Sequence, residues 1–187
     1  MERKEIRIAG FGGQGIVLSG NIIGKAASIF TNGYAALTQN YGPESRGGSC
    51  TAEVVVSNEP VDYPYVTNPQ IQIILSQEAY TKYGQNVSSA LEIVDSEMVK
   101  VNPRQKSRTL SIPASRMAHE EIGRSVVANI IVLGFLAAVS DIVSVEALRS
   151  SVLDSIPAGT EEINTRAFEL GYDYGMKKLK TGEGEGK

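Results

Sequence analysis

Residues 8–20 (IAGFGGQGIVLSG) constrain the fold most strongly, because four glycines lie between a short strand-like segment and an apolar helix-like one. Residues 5–9 alternate isoleucine with charged or small side chains, as a strand with one buried face does. From Ile16 onward, apolar and small residues recur at helical spacing for about four turns. A strand that turns sharply into a helix is the first half of an α/β unit.

The rest of the chain repeats this alternation and predicts one α/β domain. Strand-like segments lie at 34–38, 50–57, 71–75, 91–95 and 108–112, and helix-like segments at 77–86, 117–123, 125–139, 144–156 and after Thr160. Strands alternating with helices predict a Rossmann-like, mostly parallel sheet flanked by helices, followed by a helical C-terminal part. We expect residues 1–180 to form a single domain and residues 181–187 (TGEGEGK) to form a flexible tail.

Charge and hydropathy exclude several classes of partner. The net charge of −3 and the pI near 5.3 leave no broad basic surface for nucleic acid. The longest apolar run, 126–139, contains Asn129 and is too short to cross a bilayer. The charged segment 1–5 leads into a strand and not into the apolar region of a signal peptide. We therefore expect a cytoplasmic protein that binds neither nucleic acid nor membrane.

The chain has one cysteine, Cys50, and one histidine, His119, too few to complete a zinc or iron–sulfur site alone. We expect no metal site, with Cys50 as a buried, inert thiol and His119 at the surface or at a helix cap. No pairing of a nucleophile with a base is evident, so no catalytic residue is assigned.

The glycine loop, residues 10–15, matches the G-x-G-x-x-G fingerprint of dinucleotide-binding proteins. That fingerprint also requires an acidic residue at the end of the second strand, which here ends LTQN at 37–40. Three interpretations stay open: an NAD-type nucleotide site, glycines that only allow close packing, or a loop that offers backbone amides and Gln14 to a ligand or partner chain. The missing carboxylate favours the third.

A second loop, residues 41–48 (YGPESRGG), holds Glu44 and Arg46 between a proline-stiffened turn and two glycines. Such a loop fixes opposite charges in position, and its arginine can bind an anion. The alternative is a solvated turn whose ion pair contributes less than about 1 kcal/mol. The spacing alone does not decide between them.

Together with residues 156–171 (IPAGTEEINTRAFELG), these two loops resemble the gamma subunit of 2-oxoacid:ferredoxin oxidoreductases. The resemblance extends over nearly the whole chain, to about Lys180. Phe11 and the form of the second loop are more similar to the 2-oxoglutarate branch than to the pyruvate branch. The pyruvate, 2-oxoisovalerate and indolepyruvate members of the family are the alternatives.

The resemblance implies a multi-subunit enzyme that converts a 2-oxoacid and coenzyme A into an acyl-CoA and carbon dioxide. Thiamine diphosphate, Mg²⁺ and iron–sulfur clusters would lie on alpha and beta subunits and a ferredoxin-like delta subunit, with ferredoxin as the electron acceptor. This chain would bind no cofactor alone and would not be active alone.

The resemblance also implies a site in which this chain completes the approach for coenzyme A. Gly12, Gly13, Gln14 and Gly15 would offer donors to a phosphate or carbonyl, Arg46 would contact an anion, and Glu44 would orient Arg46. Asn129 faces the same cleft or is bonded locally in its helix, while Tyr172 and Tyr174 belong to the core or to a subunit contact. We expect the turns near residues 12 and 46 to meet at one rim of the domain.

Overall fold

The computed structural model describes residues 2–43, 47–84, 91–102 and 108–181. Within these ranges, six strands form one sheet in the order β2-β3-β1-β4-β5-β6. Their bounds are β1 Lys4–Phe11, β2 Tyr34–Tyr41, β3 Ser49–Ser57, β4 Ile71–Ile74, β5 Leu91–Asp95 and β6 Arg108–Ile112.

The sheet is mixed, with β3 as its reversed strand. β1, β4, β5 and β6 pair in parallel, whereas β3 pairs antiparallel with both β1 and β2. β2 therefore runs in the same direction as β1, and the described sheet is mostly parallel. The predicted α/β fold is confirmed.

Helices cover both faces of this sheet. Their bounds are α1 Ile16–Ser28, α2 Gln77–Tyr83, α3 Ala114–Met117, α4 Ala128–Val139, α5 Val145–Ser155 and α6 Glu161–Lys180. Ile8 and Ile73 face the main core with α1 and α4, whereas Ala9 and Ile74 face α2 on the other side. This division follows from the two-residue period of a strand.

α4 lies at the centre of the helical C-terminal part. Ten of its twelve residues are buried, and all but Asn129 are apolar or glycine, so α4 is enclosed around nearly its whole circumference. It approaches α6 closely where Gly134 faces the carbonyl of Phe168 and Gly171 faces the carbonyl of Ile131. At both contacts a Cβ on the glycine would overlap the facing backbone, so the glycines set the separation of the helices.

Element ends differ from the sequence-based predictions where pairing or packing decides them. β2 continues past residue 38 to Tyr41, because Gln39–Tyr41 pair in register with Cys50–Ala52 of β3. The second loop is therefore shorter than its polar sequence suggests. Thr160 lies at the start of α6, but its hydroxyl donates to the carbonyl of Pro157 and does not cap the helix.

The predicted helices at 117–123 and 125–139 also change form at their ends. The first consists of α3 followed by a π-helical turn, Ala118–Ile122, and the second begins with a 3₁₀ turn, Ser125–Val127. Residues 85 and 86 of the predicted 77–86 helix, and residues 182–187 of the predicted tail, lie outside the described residues. That residues 1–180 form a single domain stays a prediction.

Cys50 lies in β3 and is 4 % exposed, as predicted for an inert thiol. Burial raises the pKa of this thiol, which lowers the fraction of the reactive thiolate at neutral pH. We expect no labelling of the folded chain by a thiol-specific disulfide reagent, and about one equivalent of labelling in denaturant. Rapid labelling of the folded chain would contradict this burial.

Candidate functional site

The glycine loop and the second loop meet at one edge of the sheet. β1 and β2 run in the same direction, so the turns that follow them leave the sheet at the same edge. The amide of Gly12 donates to the carbonyl of Gly48 at 2.9 Å, and the amide of Gly42 donates to the carbonyl of Ser49 at 2.7 Å. Glu44 and Arg46 lie outside the described residues.

The glycine loop needs glycine at the two positions where its backbone is left-handed. Gly13 has a φ of 98° and Gly15 a φ of 71°, values that side chains with a Cβ adopt only at a cost. α1 begins directly after Gly15, whose carbonyl accepts from the amide of Ser19 at 2.9 Å. The loop therefore ends on a helix N-terminus, where backbone amides lack intrahelical partners.

Gln14 holds the loop to the neighbouring strand. Its Oε1 accepts from the amide of Phe11 at 2.7 Å, and its Nε2 donates to the carbonyl of Leu75 at 2.9 Å. Its backbone amide donates to the carbonyl of Phe11. The side chain that the sequence offered to a ligand therefore ties the end of β1 to the segment after β4.

Two of the four predicted backbone donors are thus already used, since the amides of Gly12 and Gln14 both donate within the fold. The amides of Gly13 and Gly15 donate to no group in the part of the chain that the structure describes. Gly13 also has open space where a Cβ would lie. These two amides are the loop's remaining candidates for a ligand contact.

A cavity of about 110 Å³ lies against the glycine loop and contains polar groups that the sequence patterns did not identify. Asp95, at the end of β5, is 2 % exposed and lines this cavity. Its carboxylate accepts from the amide of Ser115 at 2.9 Å, from the hydroxyl of Ser115 at 2.5 Å and from the amide of Glu97 at 3.0 Å. The sequence signal that could have identified Asp95 is its position at the end of a buried strand, because ligands bind at the carboxyl ends of the strands in parallel sheets.

Asn129 is a buried polar residue that packs directly against the loop. It is 3 % exposed, and its side chain occupies the space that a Cβ on Gly15 would take. Its Nδ2 lies 3.5 Å from Oγ of Ser19, at the outer limit of a hydrogen bond. Its Oδ1 has no partner among the described residues. This amide oxygen is therefore available to a ligand.

A larger cavity of about 600 Å³ shares Val126 and Asn129 with the small one. Its apolar wall includes Leu18, which is 37 % exposed, and Val126, which is 75 % exposed. Exposed aliphatic side chains beside a cavity are typical of a surface that another molecule covers.

Among the charged residues that line the large cavity, arginines outnumber carboxylates. Residues in the first turns of α1, α4 and α6 line it, and the first turns of α1 and α4 contain no acidic residue. Helix N-termini carry partial positive charge, and the cavity also contains Arg124 and Arg166, against the single carboxylate of Glu162. Arg166 donates to the carbonyl of Glu121 at 2.8 Å. The arrangement suits an anionic ligand with an apolar portion.

The other residues of the sequence analysis lie away from this site. His119 is exposed on the π-helical turn, as expected of a surface residue. Tyr172 and Tyr174 are half-buried against the main core, and the ring of Tyr174 lies 6.1 Å from that of Phe135. Among the residues that the structure describes, no His, Cys, Asp and Glu cluster could hold a metal ion, and no helix is long and apolar enough to cross a membrane.

Comparison with known proteins identifies relatives along nearly the whole chain. Residues 5–174 match the family model described as pyruvate ferredoxin/flavodoxin oxidoreductase. The 2-oxoglutarate synthase subunit KorC of Methanocaldococcus jannaschii is 47 % identical over 174 residues, which cover 91 % of this chain and 93 % of KorC. The KorC subunit of Methanothermobacter marburgensis is 44 % identical over 95 % of this chain and 100 % of its own length.

A solved structure has the same fold. The keto/oxoacid ferredoxin oxidoreductase gamma subunit of Geobacter sulfurreducens superimposes with a TM-score of 0.84 at 36 % identity. The superposition covers 95 % of this chain and 98 % of that subunit.

Proposed function

The chain belongs to the pyruvate ferredoxin/flavodoxin oxidoreductase family, and from this premise we propose that it is the gamma subunit of a cytoplasmic 2-oxoglutarate:ferredoxin oxidoreductase. The complete enzyme would convert 2-oxoglutarate and coenzyme A into succinyl-CoA and carbon dioxide and pass two electrons to ferredoxin. The observation that carries this proposal is the near full-length identity to subunits named for 2-oxoglutarate synthase.

The chemistry is divided between chains in this proposal. Alpha and beta subunits, with a ferredoxin-like delta subunit, would hold thiamine diphosphate, Mg²⁺ and the iron–sulfur clusters. One cysteine and one histidine cannot supply the roughly four ligands that a cluster needs. The role of this chain is to complete the cleft through which coenzyme A reaches the acyl group.

The residues at the rim fit coenzyme A. Its phosphates suit the amides of Gly13 and Gly15 and the positive ends of α1 and α4. Its secondary amides can donate to the unpaired Oδ1 of Asn129, and its aliphatic portion suits the apolar wall of the large cavity. The thiol of coenzyme A accepts the acyl group in the reaction. Arg46, oriented by Glu44, would supply a further contact to an anion.

Replacing Asn129 with alanine tests this assignment in the assembled enzyme. We expect the KM for coenzyme A to rise about tenfold, because one buried hydrogen bond contributes about 1–1.5 kcal/mol. The KM for 2-oxoglutarate should stay unchanged, since it binds on sister subunits. Steady-state reduction of ferredoxin at varied coenzyme A measures both constants.

Asn58→Ala is the matched control, because Asn58 is an exposed asparagine in the segment between β3 and β4. An unchanged KM for coenzyme A in Asn129→Ala would show that this residue does not contribute to coenzyme A binding.

The alternative of an independent nucleotide-binding protein is tested by calorimetry on the isolated chain. Micromolar binding of NAD, or full activity of the chain alone, would contradict the gamma-subunit proposal.

A further inference from the structure

Two exposed tyrosines lie on the segment between β3 and β4. Tyr63 is 55 % exposed and Tyr65 is 56 % exposed, and their rings lie 5.4 Å apart in an edge-to-face arrangement. β3 runs antiparallel to β1, so its end lies at the start of β1. The tyrosines are therefore at the opposite edge of the sheet from the glycine loop.

The first strand and the residue before it hold this segment in place. The guanidinium of Arg3 donates to the carbonyl of Tyr63 at 3.0 Å and to that of Tyr65 at 3.3 Å. Arg3 also pairs with the carboxylate of Glu5 at 2.8 Å. Glu5 accepts from the amides of Thr67 at 2.7 Å and Asn68 at 2.8 Å.

Glu5 is 6 % exposed, and this burial acts to raise its pKa. The hydrogen bonds from Asn68, Arg3 and Thr67 outweigh the burial and hold the pKa of Glu5 below its ordinary value. The carboxylate is therefore charged at neutral pH, and the segment has a charged, hydrogen-bonded anchor. Pro60, Pro64 and Pro69 stiffen it further by fixing φ.

This anchoring orders a backbone whose two large side chains stay mostly in water. Ordering backbone costs conformational entropy, and two tyrosine side chains that stay more than half exposed return little of that cost. Aromatic side chains displayed on an ordered backbone are the residues that dominate protein–protein interfaces, because less conformational entropy is lost on binding. An anchored segment with exposed aromatic side chains is typical of an interaction surface.

Charge identifies the partner's chemistry. Glu59 and Asp62 are exposed on the same segment, and the guanidinium of Arg3, which contacts this segment, is already bonded to Glu5 and to two carbonyls. An arginine side chain complements such a surface, since it stacks on tyrosine rings and pairs with carboxylates. We propose that the tyrosine patch (Glu59, Asp62, Tyr63 and Tyr65) binds an arginine-bearing segment of a sister subunit, on the edge remote from the coenzyme A cleft.

This proposal rests on the chain acting within a multi-subunit enzyme, and its test is the affinity of this chain for the other coexpressed subunits. We expect Tyr63→Ala combined with Tyr65→Ala to raise Kd at least about 100-fold, since each hot-spot residue accounts for tenfold or more. Asp62→Lys should also raise Kd. The fold-increase should be larger at low salt than at high salt, because screening weakens an ionic contact. Tyr34→Ala, an exposed tyrosine on β2, is the matched control and should leave Kd unchanged.

An unchanged Kd for the folded double variant overturns the proposal, as does a loss of affinity that is equal in Tyr34→Ala. Light scattering on the isolated chain adds a further outcome. Self-association that the double variant abolishes would assign the patch to a second copy of this chain and overturn the sister-subunit assignment. A complex that prefers pyruvate to 2-oxoglutarate would refute the substrate proposal without changing these affinities, so the two failures are distinguishable.

Discussion

Gly171→Ala is expected to lower the free energy of unfolding by about 3 kcal/mol or more, because overpacking against rigid backbone cannot relax cheaply. A Cβ at this position would overlap the carbonyl of Ile131 and lie 3.0 Å from the backbone nitrogen of Phe135. Both atoms belong to α4, so the helices must separate. Since Gly134 makes the reciprocal close contact with Phe168, separating the helices would loosen the packing along the whole contact between α4 and α6.

Thermal unfolding of the isolated chain measures this effect. For a chain of this size, 3 kcal/mol corresponds to a fall in Tm of roughly 6–12 °C. Gly24→Ala is the matched control: Gly24 is also helical, and its Cβ would lie at an ordinary 3.7 Å from Cβ of Ala35. We expect that control to be neutral or to stabilise by up to about 1 kcal/mol, because alanine favours helices over glycine. Equal Tm values for the two variants would contradict the proposal that these glycines set the separation of α4 and α6.

Sequence patterns predicted those elements whose signal is local. The bounds of β5 and β6 agree with prediction residue for residue, because β5 is a short, largely apolar segment and β6 alternates polar and apolar side chains. The reversed direction of β3 and the extension of β2 to Tyr41 depend on pairing between strands, which no local pattern records. The π-helical turn after α3 is likewise not marked by a local pattern, since its sequence continues a helical pattern.

The candidate site divides in the same way. The meeting of the two loops was expected from the family resemblance, and Asn129 was singled out by its polarity within an apolar helix. Arg124 and Arg166 were missed, because an arginine on an exposed helix or turn is ordinary until the fold brings it to a cavity. The binding roles of Glu44, Arg46 and Asn129 stay predictions. Gln14 shows the limit of motif reasoning, since the fold uses its amide internally.

Gly15→Ala is expected to lower kcat/KM for coenzyme A at least about 100-fold in the assembled enzyme, because two costs coincide at this position. The φ of 71° is left-handed, and holding a non-glycine residue there costs about 1–2 kcal/mol. The added Cβ would also overlap Nδ2 of Asn129 and lie 2.7 Å from its Cγ. Asn129, which lines both cavities, must then move, and its amide oxygen moves with it.

The double variant Gly15→Ala/Asn129→Ala separates the two costs. Removing the asparagine amide relieves most of the overlap but leaves the backbone strain, so the two substitutions should be less than additive in kcat/KM by about 1–2 kcal/mol. Gly123→Ala is the control for strain alone, since Gly123 has a φ of 75°, has open space around a Cβ and lines neither cavity. Additive effects of Gly15→Ala and Asn129→Ala would show that the loop and α4 act independently. The packing of Asn129 on Gly15 would then have no part in forming the site.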